Sequence, residues 1–204
     1  TDIVSAQGWH QVDGILFDLG VSSHQLDTPS RGFSFQTDAD LDMRMDPQLG
    51  VTAADLVNAL GRKELYHLFT KLAQEPRAHA IAEAIITARR REPFKTTLAL
   101  AQVVESVYGR RTGKLHPATK VFQALRLAVN DELNSLTAAL PQAWDLLKPQ
   151  GRLVVLSFHE GEDRIVKQFF KDKAQTGQGE LLTKKPLIPE WLEIEANPRS
   201  RSAK

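Results

Sequence analysis

The chain of 204 residues contains no cysteine, which excludes a disulfide framework and any zinc site built on thiolates, and which suits a reducing compartment. It has no apolar run near the roughly 20 residues that a membrane-spanning helix needs, and no basic-then-apolar leader pattern at its start. We therefore expect a soluble protein with no membrane partner and the cytoplasm as its location. A strong charge of either sign is missing too: 26 Lys and Arg stand against 25 Asp and Glu, a net charge of +1. No global field draws the molecule onto nucleic acid, so such binding must come from local patches. The six histidines fall at no metal-ligand spacing, and no metal site is expected.

A glycine-rich phosphate turn is also missing. No G-x-G precedes Asp18, and Gly177-Gln178-Gly179 follows no predicted strand and opens no helix, so it reads as a flexible loop. Residue 1 is Thr rather than Met, and the last residues, Asn197 to Lys204, stop inside a basic stretch. The expectation is a fragment, the C-terminal two-thirds of a longer protein.

With 42% hydrophobic residues, the chain can bury one substantial core with a small satellite lobe. Two stretches read as buried strands: Val12–Asp18, running into the turn residues Gly20, Ser22 and Ser23, and Arg152–His159, following the turn Lys148-Pro149-Gln150-Gly151. Between them lie helical patterns over Glu64–Ala73, Pro76–Arg91 and Thr97–Tyr108. One long helix starts near Ala118 with Phe122, Leu125, Val129, Leu133, Leu136 and Leu140 on one face, and Pro141 kinks or restarts it. A last helix covers Glu162–Lys171, and loops with weak edge strands follow Gln175. This order implies an α/β fold with a parallel sheet. The helices before Tyr108 are too many for one crossover, which places the core at 1–46 and 116–204 and an inserted helical lobe at 47–115.

In open parallel sheets ligands sit beyond the carboxyl ends of the strands, so Asp18 stands where a cofactor would lie, although an acid capping a turn accounts for it as well. Asp38, Asp40 and Asp42 imitate the start of a calcium loop, but Met43 stands where glycine is required and Leu49 where the closing glutamate belongs. The stretch 38–47 then reads as an ordered lid loop. Basic residues cluster at Arg89–Arg91, where favourable charge at a helix end explains part of the run. They cluster again at Arg110, Arg111, Lys114 and His116, a glycine-containing loop better suited to phosphates.

Taken together, Asp18-Leu19-Gly20-Val21-Ser22-Ser23, Arg31-Gly32-Phe33-Ser34-Phe35, Leu41-Asp42-Met43-Arg44-Met45-Asp46, His116-Pro117-Ala118-Thr119, Phe122-Gln123-Ala124-Leu125-Arg126, Val129-Asn130-Asp131-Glu132-Leu133, Ser157-Phe158-His159, Glu162-Asp163-Arg164 and Asn197-Pro198-Arg199 resemble the ribosomal RNA small subunit methyltransferase H family over nearly the whole chain. The resemblance implies a class I methyltransferase fold, a Rossmann-like parallel sheet with an inserted helical lobe. It also implies transfer of a methyl group from S-adenosylmethionine to the N4 amino group of a cytidine in small-subunit ribosomal RNA. Asp18 and Gln25 align with cofactor contacts of the family, whose glycine-rich loop, ribose-binding acid and adenine-pocket aromatic would precede Thr1. The Asp18-Leu19-Gly20-Val21 stretch lacks the Asp-Pro-Pro-aromatic signature of many amino-group methyltransferases.

Such a transfer is an in-line displacement that demands positioning, an acceptor for the amine hydrogens and a base for the released proton. Asp18, Ser22, Asn130 and His159 are candidates for that work. The target base must leave its stack, and Met43 with Phe33 to Phe35 offer apolar contacts, unless the phenylalanines simply pack the lid. The partner is the small ribosomal subunit or its RNA, with a homodimer also considered. The rival expectation is a catalytically incomplete fragment that only binds RNA or the ribosome.

Overall fold

Alternating apolar residues bring two distant stretches together as a parallel pair in the computed structural model, which describes residues 2–109 and 116–204, with side chains from residue 4. The elements in chain order are α1 (Asp2–Ala6), β1 (Val12–Asp18), α2 (Ser23–Asp27), α3 (Ala53–Ala59), α4 (Arg62–Ala73), α5 (Ala78–Arg89), α6 (Thr97–Tyr108), α7 (Thr119–Val129), α8 (Glu132–Leu146), β2 (Leu147–Leu156), α9 (Glu160–Gln175) and α10 (Trp191–Ala196). Strands β1 and β2 pair from Gly14 with Arg152 to Asp18 with Leu156. Because side chains alternate across a strand, Phe17, Leu153 and Val155 share one face, where they pack on Leu136 and Leu140 of α8 and Val166 of α9. Leu16 and Val154 point to the other face and are 62% and 51% exposed.

The turn expected before the second strand is present as an irregularity inside it. Val12 pairs with Leu147 and Gly14 with Arg152, so Lys148–Gly151 all oppose Asp13. Gln150 turns through φ +66° there, and a Cβ on Gly151 would lie 2.9 Å from the Lys148 carbonyl. The ladder ends at Leu156, three residues earlier than the sequence suggests, because β1 stops at Asp18 and Gly20 turns the chain away at φ +88°.

The single long helix expected across Asn130 is two helices, α7 and α8. Asp131 takes a left-handed φ of +48°, which no helix continues, while Pro141 lies inside α8 without ending it. The apolar spacing runs on through the break, so periodicity alone hides it. After Gln175 the expected weak edge strands are replaced by α10 and a 3-10 turn, Pro198–Ser202; β1 and β2 are the strands among the described residues.

The chain forms two compact units, one of residues up to Gly20 with Glu132–Lys204, the other Val21–Asp131. The helical unit therefore takes in the stretches flanking 47–115. Its centre is Leu65 and Phe69 of α4, Ile81 and Ile85 of α5, Leu100 and Val104 of α6 and Val121 and Leu125 of α7, all fully buried. Arg89 ends α5 and donates to the carbonyls of Val57 and Leu60 at 2.7 Å each, closing the C-terminus of α3. The hydroxyl of Tyr108 donates to the buried carboxylate of Glu75; burial, then that bond, push Tyr108 up to about 12.

Candidate active site

The sheet unit gathers its polar groups at one edge, the carboxyl ends of β1 and β2. Asp18 closes β1 opposite Leu156, with its side chain exposed. The Leu19 N–H donates to the Leu156 carbonyl at 3.1 Å, after which Gly20 turns the chain at φ +88°. An exposed carboxylate at this edge accepts hydrogen bonds from hydroxyl or ammonium groups of a ligand lying beyond the strands. Asp18 is thereby available to chemistry rather than spent on the fold.

His159 lies at the same edge, one residue before α9. Its Nδ1 accepts from the Gly161 and Glu162 N–H groups at 3.1 and 3.4 Å, an N-cap made by a ring nitrogen. In return, Glu162 Oε2 accepts from the N–H groups of Phe158 and His159 at 2.8 and 3.3 Å, and its carboxylate is buried. His159 Nε2 lies 3.2 Å from Glu162 Oε1, but out of hydrogen-bond alignment, so this buried nitrogen keeps no hydrogen-bond partner. The geometry suits a group that fixes the start of α9 and the chain leaving β2. Asp163, beside it, is pushed up by burial, but bonds from Lys167 and Lys204 outweigh that and hold its carboxyl below the ordinary value.

The other candidates belong to the helical unit. Ser22 and Gln25 form a capping box on α2: Gln25 N–H donates to Ser22 Oγ at 3.2 Å and Ser22 N–H to Gln25 Oε1 at 2.9 Å. Asn130 is tied on three sides, accepting from Met45 N–H at 2.6 Å and donating to the carbonyls of Met43 and Arg126 at 2.8 and 2.9 Å. It thus fixes the loop 43–45 against the end of α7. That loop is held again from the other side, because Arg31 donates to the carbonyls of Arg44 and Met45 at 2.8 Å each. Met43 is fully buried at a positive φ of +64°, and Phe33 is 7% exposed; both belong to the core and are unavailable to a flipped base.

Arg44 grips Asp42 with two bonds, Nε to Oδ1 at 2.7 Å and Nη2 to Oδ2 at 2.8 Å. This fork holds the Asp42 carboxyl below its ordinary 3.8, with burial opposing. A depressed carboxyl binds fewer protons in the folded than in the unfolded state, so its contribution is present above about pH 4 and is lost as pH falls through the lowered value. The thermal midpoint is expected to drop across that acid window, and Asp42→Asn to flatten the drop, as melting curves from about pH 6 to 3 will show.

Of the basic loop, Arg110, Arg111 and Lys114 lie outside the described residues. His116 is described: its Nδ1 accepts from the Ala118 N–H at 3.1 Å, its ring lies 4.6 Å from that of Phe35, and its Nε2 is 3.8 Å from Glu105. Among the described residues, no group of three or more His, Cys, Asp or Glu could hold a metal ion, and no helix is long and apolar enough to cross a membrane. Sequence reading missed Glu162 as the partner of His159, although the spacing of N-cap and third helical residue carries that signal. It also missed the pairing of Ser157 with Lys204, for which no local pattern exists.

A sequence model described as the MraW methylase family matches residues 1–204. The chain is similar to the ribosomal RNA small subunit methyltransferase H of Thermomicrobium roseum, at 50% identity over 99% of this chain and 67% of that protein. Its namesake in Solibacter usitatus is 52% identical over 100% of this chain and 70% of the relative. The protein of the same name in Coprothermobacter proteolyticus is 49% identical over 100% and 68%.

Proposed function

Because the chain belongs to the MraW methylase family, we propose that it transfers a methyl group from S-adenosylmethionine to the N4 amino group of a cytidine in small-subunit ribosomal RNA. It is a methyltransferase of the class I type, with S-adenosylmethionine as donor. The substrate class rests on the names of its relatives, and the choice of cytidine N4 on the resemblance to the family that the ordered motifs carry. A ribosomal RNA substrate supports a cytoplasmic location. The reading as an RNA-binding remnant is not favoured, since relatives named for the transfer cover 99 to 100% of the chain.

The observation that carries the proposal is the exposed Asp18 carboxylate at the end of β1. S-adenosylmethionine presents hydroxyls, an ammonium and a sulfonium, and an anionic acceptor beyond a parallel strand fits that donor set. When bound, it supplies a methyl group activated by the positive sulfur. The protein's own task is to bring the amine in line with that methyl, keep water away and receive a proton. The cytosine amine has its lone pair drawn into the ring, so an acceptor that holds one of its hydrogens turns the nitrogen toward the methyl.

Asp18 and Ser22 are the exposed ones of the four candidates, and of these two Asp18 is the one whose side chain caps no helix. Asn130 spends its amide on Met43, Met45 and Arg126, Ser22 caps α2, and His159 commits Nδ1 to the start of α9. We assign these three to positioning. The test is incubation with methyl-labelled S-adenosylmethionine and small-subunit RNA lacking the modification, followed by nucleoside digestion. Label in N4-methylcytidine is expected; label in another nucleoside or in none would overturn the assignment.

A further inference from the structure

The last residues of the chain reach the edge where Asp18 stands. At Leu156 the carbonyl faces β1, where it accepts from Leu19 N–H. One residue later the backbone faces the opposite side: Ser157 N–H donates to the Lys204 carbonyl at 3.1 Å, and Lys204 N–H to the Ser157 carbonyl at 2.9 Å. A residue pair that exchanges both bonds is the hydrogen-bonded pair of antiparallel strands. Lys204 is therefore paired with Ser157 on the side away from β1.

Residues 197–204 are fixed by more than this pair. Lys204 Nζ lies 3.3 Å from Asp163 Oδ2, which Lys167 also reaches at 2.8 Å. Ser200 is buried at 7% exposure, and its hydroxyl donates to the Asn197 carbonyl at 2.8 Å. Asn197 Oδ1 accepts from Arg199 N–H at 3.3 Å, capping the 3-10 turn, and Ala203 N–H donates to the Ser200 carbonyl at 2.8 Å. Lys167 and Lys204 are thus spent on Asp163, whereas Arg201 stands exposed on the turn between two anchored residues, Ser200 and Lys204.

We infer that residues 197–204 form a phosphate clasp on the rim of the transfer site, in which Arg201 meets a backbone phosphate of the RNA. The inference rests on the RNA substrate proposed above and names a contact for it. A planar guanidinium offers paired donors that match phosphate oxygens. Its backbone is already ordered by the latch to Ser157, so less conformational entropy is lost on binding. With a net charge of only +1, the protein needs such local cations to engage a polyanion.

The test is a fluorescence-anisotropy titration of a labelled small-subunit RNA fragment at several salt concentrations, with the wild-type chain, Arg201→Ala and Arg201→Lys. One phosphate contact changes the slope of log affinity against log salt by about 0.7 to 0.9, which is roughly a five- to eight-fold loss at 0.1 M salt. Arg201→Ala is expected to show both changes with an unaltered melting curve, and Arg201→Lys to retain the wild-type slope. Wild-type binding with an unchanged slope in Arg201→Ala overturns the clasp alone. Absence of RNA binding by the wild type overturns the RNA substrate and the clasp with it.

Discussion

Replacing Asp18 by alanine is expected to weaken S-adenosylmethionine binding about ten- to hundred-fold, because a hydrogen bond to a charged acceptor is worth roughly 1.5 to 3 kcal/mol. Methyl transfer should fall at least as far. The melting temperature should stay where it is, since the residue is exposed and its place in the sheet is held by backbone bonds at the Leu156 pairing. Asp18→Asn separates two duties. An amide oxygen still accepts a hydrogen bond but takes up no proton, so this variant should bind the donor better than the alanine variant while transferring as poorly. Titration calorimetry with S-adenosylmethionine reads the first quantity and single-turnover transfer to RNA the second. Wild-type values for both in Asp18→Ala would remove the residue from the site.

Gly32→Ala should produce the largest loss of stability of any single-methyl addition to the helical unit. Gly32 sits at φ +69°, where a Cβ costs about 1 to 2 kcal/mol. The added atom would also stand 2.3 Å from the Asp40 carbonyl oxygen and 2.7 Å from the Asp42 nitrogen. Both are backbone atoms with little room to yield, so overpacking adds roughly 1 to 3 kcal/mol. The neighbouring bonds raise the stakes: Met43 N–H donates to the Arg31 carbonyl at 3.0 Å, and the Arg31 guanidinium holds Arg44 and Met45. A push at Gly32 thus reaches the loop that Asn130 clamps. Together these make about 2 to 5 kcal/mol, and at about 2 to 4 °C per kcal/mol for a chain of this size the midpoint should fall by roughly 4 to 20 °C. Calorimetric melting settles it, and a shift within a degree of wild type would show that the loop can move aside at no cost.

Two elements show why parts of the fold were legible. The helix Thr97–Tyr108 has Thr96 accepting from Ala99 N–H at its start and Gly109 at φ +68° after its end, so cap residues and apolar spacing agree on its limits. The strand Val12–Asp18 is bounded in the same way by turn residues beyond Asp18. The helix break at Asn130 and Asp131 was not legible, because Val129 and Leu133 keep the apolar spacing across it. What breaks the helix there is Asn130 bonding backbone 85 and 87 positions away, a long-range partner that no window of sequence contains.

The candidate site divides along the same line. Asp18 could be placed from sequence because a strand that ends in an acid and then glycine puts that acid beyond the sheet. Methyl transfer itself was implied by the family that the ordered motifs resemble over nearly the whole chain. Asn130 and His159 carry polar groups suited to catalysis, yet what each group bonds to depends on the packed chain. Hydrogen bonds are satisfied by whatever donor or acceptor the fold delivers, so residue type alone could not say that their atoms would hold Met43, Met45 and the start of α9.

The sequence by itself determined the α/β class, the parallel pairing of the two apolar strands, the position of Asp18 and the family of methyl-transferring proteins to which the chain belongs. These follow from local signals, namely periodicity, capping residues and motif order, that are complete within a few neighbouring residues. Only the tertiary structure decided where the helix from Ala118 breaks, which candidates are bound up in the framework, and that Lys204 lies beside Ser157. Those outcomes are contacts between residues far apart in the chain, and a contact of that kind exists only once burial has assembled each unit, around Leu65, Phe69, Leu100 and Leu125 in the helical unit and around Leu136, Leu140 and Val166 beside the sheet.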